Sequence, residues 1–265
     1  MVLYLNIVGG FMEVIITIWL ALIGAIMGSF LGCMGYRIPN KIKTTYPSSF
    51  CSSCKKPLKW YMNIPIISYI IQGGKCAYCK EKIGFIYFLT ELLCASLFIL
   101  NYCMFRFNLE FYISTIIVCV LVVTVVSDFK YYYISDRVLV IAVICLLITF
   151  LIFLNMNEVI NRVVSAVIIF LLMFGIKILG NSMFGKESMG DGDIKLMGVI
   201  GLALGWLNSL VSLVFASVIG LIFSLIIIKR NKEGIIPFGP FLLIGALLVI
   251  YLSPIINPYL QSLLS

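Results

Sequence analysis

Apolar residues fall along this chain in long unbroken runs, not in the alternation of half-buried strands or the three-four spacing of amphipathic helices. About eight windows approach the roughly 20 residues that cross about 30 Å of hydrocarbon. They lie near 13 to 36, 85 to 105, 111 to 128, 137 to 154, 162 to 180, 193 to 207, 209 to 228 and 236 to 253. Open sheet edges cannot satisfy their backbone groups in lipid, so the pattern predicts an all-α polytopic membrane protein of about eight transmembrane helices. One polar stretch, 37 to 84, breaks the run with its Pro, Gly, Ser and Lys content. The expected organisation is a first transmembrane helix over 1–36, a small cytoplasmic four-cysteine domain over 37–84, and a transmembrane bundle over 85–265. No internal repeat is visible.

Two windows carry local irregularities. The sixth is short and holds Gly198, Gly201 and Gly205, small residues that permit close helix contact. The eighth opens on Ile236-Pro237-Phe238-Gly239-Pro240, where proline is tolerated because early helix amides lack partners anyway. The segment from Gly180 to Asp193 is rich in glycine and serine and reads as an irregular loop.

Composition supports the membrane reading. The 265 residues are 62% hydrophobic and 11% charged, with a mean hydropathy of +1.14, which excludes an ordinary soluble domain. If the segment after the first span is inside, 17 of the 19 Lys and Arg residues lie inside and only Arg106 and Arg162 outside. The positive-inside rule then puts both termini out, and the polar loop in the cytoplasm of a multi-pass protein of the plasma membrane. The first ten residues lack a basic signal region, so the first span is expected to stay. Basic inside loops and anionic lipid account for the net charge of +8, so no nucleic-acid partner is expected.

Cys51-Ser52-Ser53-Cys54 and Cys76-Ala77-Tyr78-Cys79 are two C-x-x-C units 21 residues apart, close to the spacing of four-thiolate zinc sites. A 48-residue domain has little core of its own, and a metal would supply stability. Lys55, Lys56, Lys75 and Lys80 would offset the negative charge. A dithiol redox pair and two disulfides are the competing readings; a cytoplasmic location opposes stable disulfides. A closed four-cysteine site would be structural, not catalytic. The other five cysteines lie in apolar spans and read as small buried side chains.

The chain has no histidine, which removes Ser-His-Asp triads, Cys-His pairs and His-ligated catalytic zinc. Acids remain: Asp128, Asp136, Asp191 and Asp193 at span edges, and Glu91 inside a span. Carboxylates near hydrocarbon are costly, and two sharing a site can divide acid and base roles. Asp128 ends the third span and Asp193 begins the sixth, so both are expected at one face. The glycines around Asp193 would let backbone approach a substrate strand. The alternative is that Asp193 is a helix N-cap and Asp128 a solvated helix end.

Gly190-Asp191-Gly192-Asp193-Ile194-Lys195 resembles the G-x-G-D-x-K motif of bacterial type IV prepilin peptidases, with Gly190, Gly192 and Lys195 as its supporting residues. Asp128 followed by Ile134-Ser135-Asp136 resembles their first catalytic aspartate and downstream I-P-D. Gly28-Ser29-Phe30-Leu31 with Tyr36-Arg37-Ile38-Pro39 is similar to the family's G-S-F-L…R-L-P signature. The two C-x-x-C units enclose Asn63-Ile64-Pro65-Ile66 and Ser68-Tyr69, precede Tyr87 and Glu91, and are similar too, as is Pro237-Phe238-Gly239-Pro240.

The resemblance implies an eight-span aspartic endopeptidase that removes a short basic leader from type IV prepilins or pseudopilins, with Asp128 and Asp193 catalytic. It also implies N-methylation of the new terminus with S-adenosylmethionine. Glu91, Asp136 and Asp191 are candidate leader contacts. Three positions depart from the pattern: Gly32 stands where the family has asparagine, Ser135 replaces proline, and Asp191 adds a third acid, read as facing water. An ion-coupled transporter and a non-catalytic scaffold of a pilus or secretion machine are the competing functions; a transporter would place its acids near the bilayer midplane and gives the cysteine loop no role.

Overall fold

In lipid a backbone must satisfy its own amides and carbonyls, and this chain does so almost wholly with α-helices. The structure, a computed structural model, describes residues 2–44, 48–185, 189–227 and 237–264. Lys186, Lys229, Arg230, Lys232 and Ile236 lie outside the described residues. The helices are α1 (Val2–Arg37), α2 (Ile67–Ile71), α3 (Phe85–Phe105), α4 (Leu109–Tyr131), α5 (Asp136–Phe153), α6 (Met156–Phe184), α7 (Asp191–Leu204), α8 (Trp206–Ile227), α9 (Gly239–Tyr251) and α10 (Ser253–Leu264).

Among the described residues every expected apolar window holds a helix, and six helices (α1, α3, α4, α5, α6 and α8) are long and apolar enough to cross a membrane. The sixth and eighth windows hold α7 and α9, of 14 and 13 residues. At 1.5 Å per residue these reach only about 21 and 20 Å. The proline of the last window sits in the first turn of α9, as expected. Helix α10 has no counterpart in the apolar pattern.

The chain divides into two compact units, Met1–Arg106 and Phe107–Ser265. In the first, α1 lies along α3 and approaches it most closely at three glycines. A Cβ on Gly24 would come within 2.8 Å of the Ala95 Cα, one on Gly28 within 2.8 Å of the Glu91 Cα, and one on Gly32 within 2.9 Å of the Thr90 hydroxyl. Glycines four apart line one helix face and let two backbones meet, which is how helices associate where no hydrophobic drive exists. This accounts for Gly32: a larger residue there would meet Thr90. At one end Arg106 pairs with Glu13 at 3.0 Å.

The second unit is built around α4, which buries Val118, Leu121, Val122 and Val126 and packs on α5 and α9. Helix α7 packs against α5, α6, α8 and α9 and buries most of its length. Gly201 fits against Ala166 of α6, where a Cβ would sit 3.1 Å from the Ala166 Cα, bearing out close contact through the glycines of this helix. On α9, a Cβ at Gly245 would overlap the Ser212 carbonyl of α8. The outward faces of α5, α6 and α8 expose Ile144, Ile148, Leu171, Leu221 and Leu225, the surface expected toward lipid tails.

Candidate active site and metal centre

Asp128 lies in the last turn of α4, which stops because Tyr132 turns left-handed (φ 50°) and sends its amide back to the Asp128 carbonyl at 3.0 Å. The chain then runs through Ile134 and Ser135 into α5. Asp128 is buried, 6% exposed, and accepts a hydrogen bond on Oδ2 from the Gly239 amide at 3.1 Å. It is therefore not a solvated helix end.

Asp193 stands in the first turn of α7, three residues after Gly190. Gly190 occupies the capping position, and its amide donates back to the Asp193 carboxylate. The capping alternative is corrected in position only: Gly190 is the N-cap, and Asp193 makes the reciprocal capping contact from inside the helix. Asp128 is near enough for its charge to act on Asp193.

Ile134 joins the elements carrying the two acids. A Cβ on Gly192 would lie 2.9 Å from the Ile134 Cβ, and one on Gly239 would lie 2.9 Å from both the Ile134 Cδ1 and Asp128 Oδ2. Gly192 was expected to admit a substrate strand; it instead admits Ile134, which seats α7 beside the end of α4. Gly239 was read only as part of a helix start, and its role as the amide donor to Asp128 went unrecognised. The signal was its place in Pro237-Phe238-Gly239-Pro240, since a glycine between two ring-bearing residues and a proline leaves room for a close backbone approach.

The remaining acids are engaged. Lys195 donates to Asp136 at 2.7 Å, tying α7 to the start of α5. Asp191 is exposed but paired with Lys177 of α6. Both were candidate leader contacts, and the structure gives each an internal partner. Ser135 keeps a nearly proline-like backbone, φ −83° and ψ 118°, so the turn survives the missing ring. Its buried hydroxyl has no hydrogen-bond partner among the described residues.

In the first unit the four cysteines converge as expected. Their sulfurs lie within 4.8 Å of one another, and Cys51 and Cys79 are 3.8 Å apart. A tetrahedral ion with sulfurs at about 2.3 Å needs an edge of about 3.8 Å. The group can hold a metal ion.

Each pair sits in the same turn. Phe50 bridges Pro57 around the first pair and Lys75 bridges Lys82 around the second. The Cys51 amide meets the Lys56 carbonyl at 3.0 Å, and the Cys76 amide meets the Glu81 carbonyl at 2.8 Å. Lys55 and Lys80, each directly after its second cysteine, turn left-handed at φ 59° and 60°. The expectation of no internal repeat is corrected on this small scale: the module is one turn used twice.

Crowding sets two of these thiols apart. Against the desolvation of its sulfur, amides of Cys54 and Ser53 bring Cys51 down to about 6. Despite the Glu81 amide, desolvation and the thiols of Cys76, Cys54 and Cys51 push Cys79 up to about 11. Four thiolates at this spacing call for a positive centre.

Two other motif residues organise this unit. Arg37 is buried and donates to the carbonyls of Lys43, Thr44 and Ser48 at 3.1, 3.1 and 3.2 Å. Glu91, a third candidate leader contact, accepts the Ile66 amide at 2.6 Å and a bond from Ser29.

Residues 22–105 match the family model described as Bacterial Peptidase A24 N-terminal domain, and residues 115–225 match that of the Type IV leader peptidase family. The first match contains the four cysteines and the second both aspartates. A protein of Bacillus subtilis (strain 168) named prepilin leader peptidase/N-methyltransferase is 30% identical over 92% of this chain and 98% of its own length. A Pseudomonas aeruginosa protein of the same name is 29% identical over 91% of this chain and 92% of its own, and one from Neisseria gonorrhoeae 28% identical over 86% and 88%. No solved structure matches. With both halves matched in order and relatives aligned over nearly its whole length, the chain belongs to the type IV leader peptidase family.

Proposed function

We propose that this protein is a membrane-embedded aspartic endopeptidase that removes the basic leader from type IV prepilins or pseudopilins at the cytoplasmic face. The observation that carries it is Asp128 held buried at a helix end within reach of Asp193. Two carboxylates in one site can share a proton. One takes a proton from the attacking water while the other gives one to the leaving amine. Gly239 and Gly190 orient the pair through their amides, and Ile134 sets the spacing of the helices that carry it.

The names of the curated relatives support a second activity, methylation of the new N-terminus with S-adenosylmethionine as donor. The cysteine group suits zinc, with Cys51, Cys54, Cys76 and Cys79 as ligands; when bound it would clamp the two turns together. We place the membrane-spanning count at eight, α7 and α9 included, both termini outside, and the division at 1–36, 37–84 and 85–265.

The test is incubation of the purified protein with a prepilin and labelled S-adenosylmethionine, followed by mass analysis of the product. Loss of the leader with one added methyl group on the new terminus is the expected result. An uncut prepilin would overturn the peptidase, and a cut but unlabelled product would remove the methylation.

A further inference from the structure

The net charge of this protein is concentrated in one place. The stretch 37–84 holds nine Lys and Arg residues against the single acid Glu81, and the rest of the chain balances to zero. A four-thiolate zinc centre, with two net negative charges, would leave most of that excess standing.

The same stretch carries an apolar surface that a domain facing only water does not need. Ile67, Ile70 and Ile71 stand at i, i+3 and i+4 and so share one face of α2. Ile70 is 64% exposed and Ile71 79%, more than Ile144 and Ile148 on the lipid-facing side of α5. The turn at Trp60–Asn63 packs on α2 and adds Trp60, 80% exposed. Contiguous exposed apolar residues mark an interaction surface, and tryptophan gathers at membrane–water boundaries.

Ring contacts set the level of this surface. Tyr69 of α2 stacks on Phe88 with centroids 4.9 Å apart and meets Phe85 at 6.5 Å. Phe85 opens α3, a helix long and apolar enough to cross a membrane, and Phe88 lies one turn inside it. Helix α2 is therefore held beside the first turn of a spanning helix, where headgroups give way to acyl chains.

Lysines ring the patch. Lys59 precedes Trp60, while Lys75 and Lys82 line a cleft with Tyr69 and Phe85. Those two lysines also face each other across an antiparallel bridge, and like charges directly opposed repel. All three are exposed, and among the described residues none forms an ion pair. Such a pair calls for an anion between its ends.

We propose that the four-cysteine domain lies on the anionic leaflet of the bilayer. Trp60, Ile67, Ile70 and Ile71 sink to the headgroup–acyl boundary, and Lys59, Lys75 and Lys82 meet lipid phosphates. A basic peptide would be repelled by these lysines, and an acidic soluble partner would not reach the depth of Phe88. The inference goes beyond leader cleavage and stands without it.

Photo-crosslinking tests it on the wild-type, full-length protein in nanodiscs of equimolar phosphatidylcholine and phosphatidylglycerol, the latter carrying a diazirine on its acyl chain. Trypsin cuts after Lys59 and Lys75, releasing 60–75 as one peptide that holds Trp60 and all of α2. Lipid adducts on that peptide are expected, with those on α1 and α3 as the internal standard. Adducts on α1 and α3 with none on 60–75 would overturn the proposal, whether water or another protein surface covers the patch. In nanodiscs of phosphatidylcholine alone, labelled in the same way, the yield on 60–75 relative to α3 should fall at least about five-fold, the loss of one lysine–headgroup attraction. Equal yields from the two membranes would overturn the role of the lysines.

Discussion

The two clusters of chemistry in this molecule are assembled by opposite means. The four cysteines are gathered by a short turn made twice, each copy closed by a bridge and a left-handed lysine within eight residues of sequence. The two aspartates are gathered by helices far apart in the chain, and a third remote segment supplies Gly239. Local turns that can hold an ion could be rebuilt around it after damage, whereas a site made of packed helix ends has only its packing to hold it.

The largest effect that would break this contrast is chemical. Asp128→Asn or Asp193→Asn should each lower leader cleavage at least about 1,000-fold in a gel assay, leaving zinc content unchanged. Retention of near-normal cleavage by either variant would end the pairing.

Next, Cys76→Ser should remove the metal, read as zinc per chain, and render the 37–84 loop sensitive to protease. Helices α4 to α9 should keep their protection.

A smaller effect sharpens the comparison on the helical side. Gly239→Ala forces a methyl group into contact with Asp128 Oδ2, now 2.9 Å from where its Cβ would sit. A carboxylate displaced by a fraction of an ångström should cost about 10- to 100-fold in kcat with little change in KM. Because the amide itself remains, the loss measures the displacement of Asp128 together with that of Ile134, whose Cδ1 lies equally close.

Smaller again is the exposed pair Lys195–Asp136. Lys195→Gln and Asp136→Asn should each destabilise the protein by only about 0.2–1 kcal/mol, with a double variant no worse than the poorer single one. Thermal unfolding of the four proteins completes that cycle.

The helices were legible in the sequence because lipid leaves a chain no other way to satisfy its backbone, and apolar runs betray their own length. The cysteine site was legible for a related reason: ligand spacing within one loop is written directly in the chain. The aspartates were visible as costly acids and as motif residues, but their partners were not. Nothing in Ile134 marks it as the side chain that two glycines from different helices make room for. Nor does the sequence show that Asp136 and Asp191 are matched with Lys195 and Lys177, since each acid is separated from its lysine by a tertiary fold. Gly192 shows how the same residue type supports two arguments, close approach of a substrate or of a neighbouring helix, and only packing chooses between them.

The two helices too short to match the hydrocarbon, α7 and α9, are also the two that begin beside Asp128 and Asp193. Peptide hydrolysis consumes a water molecule, and an oily slab about 30 Å thick is a poor place to find one. Helices of about 20 Å enclosed by longer neighbours fall short of such a layer by roughly 10 Å, and a recess of that depth at the helix starts would admit water. The protein would thus bring the solvent to its carboxylates through the shortness of two helices, with no need of a bored channel.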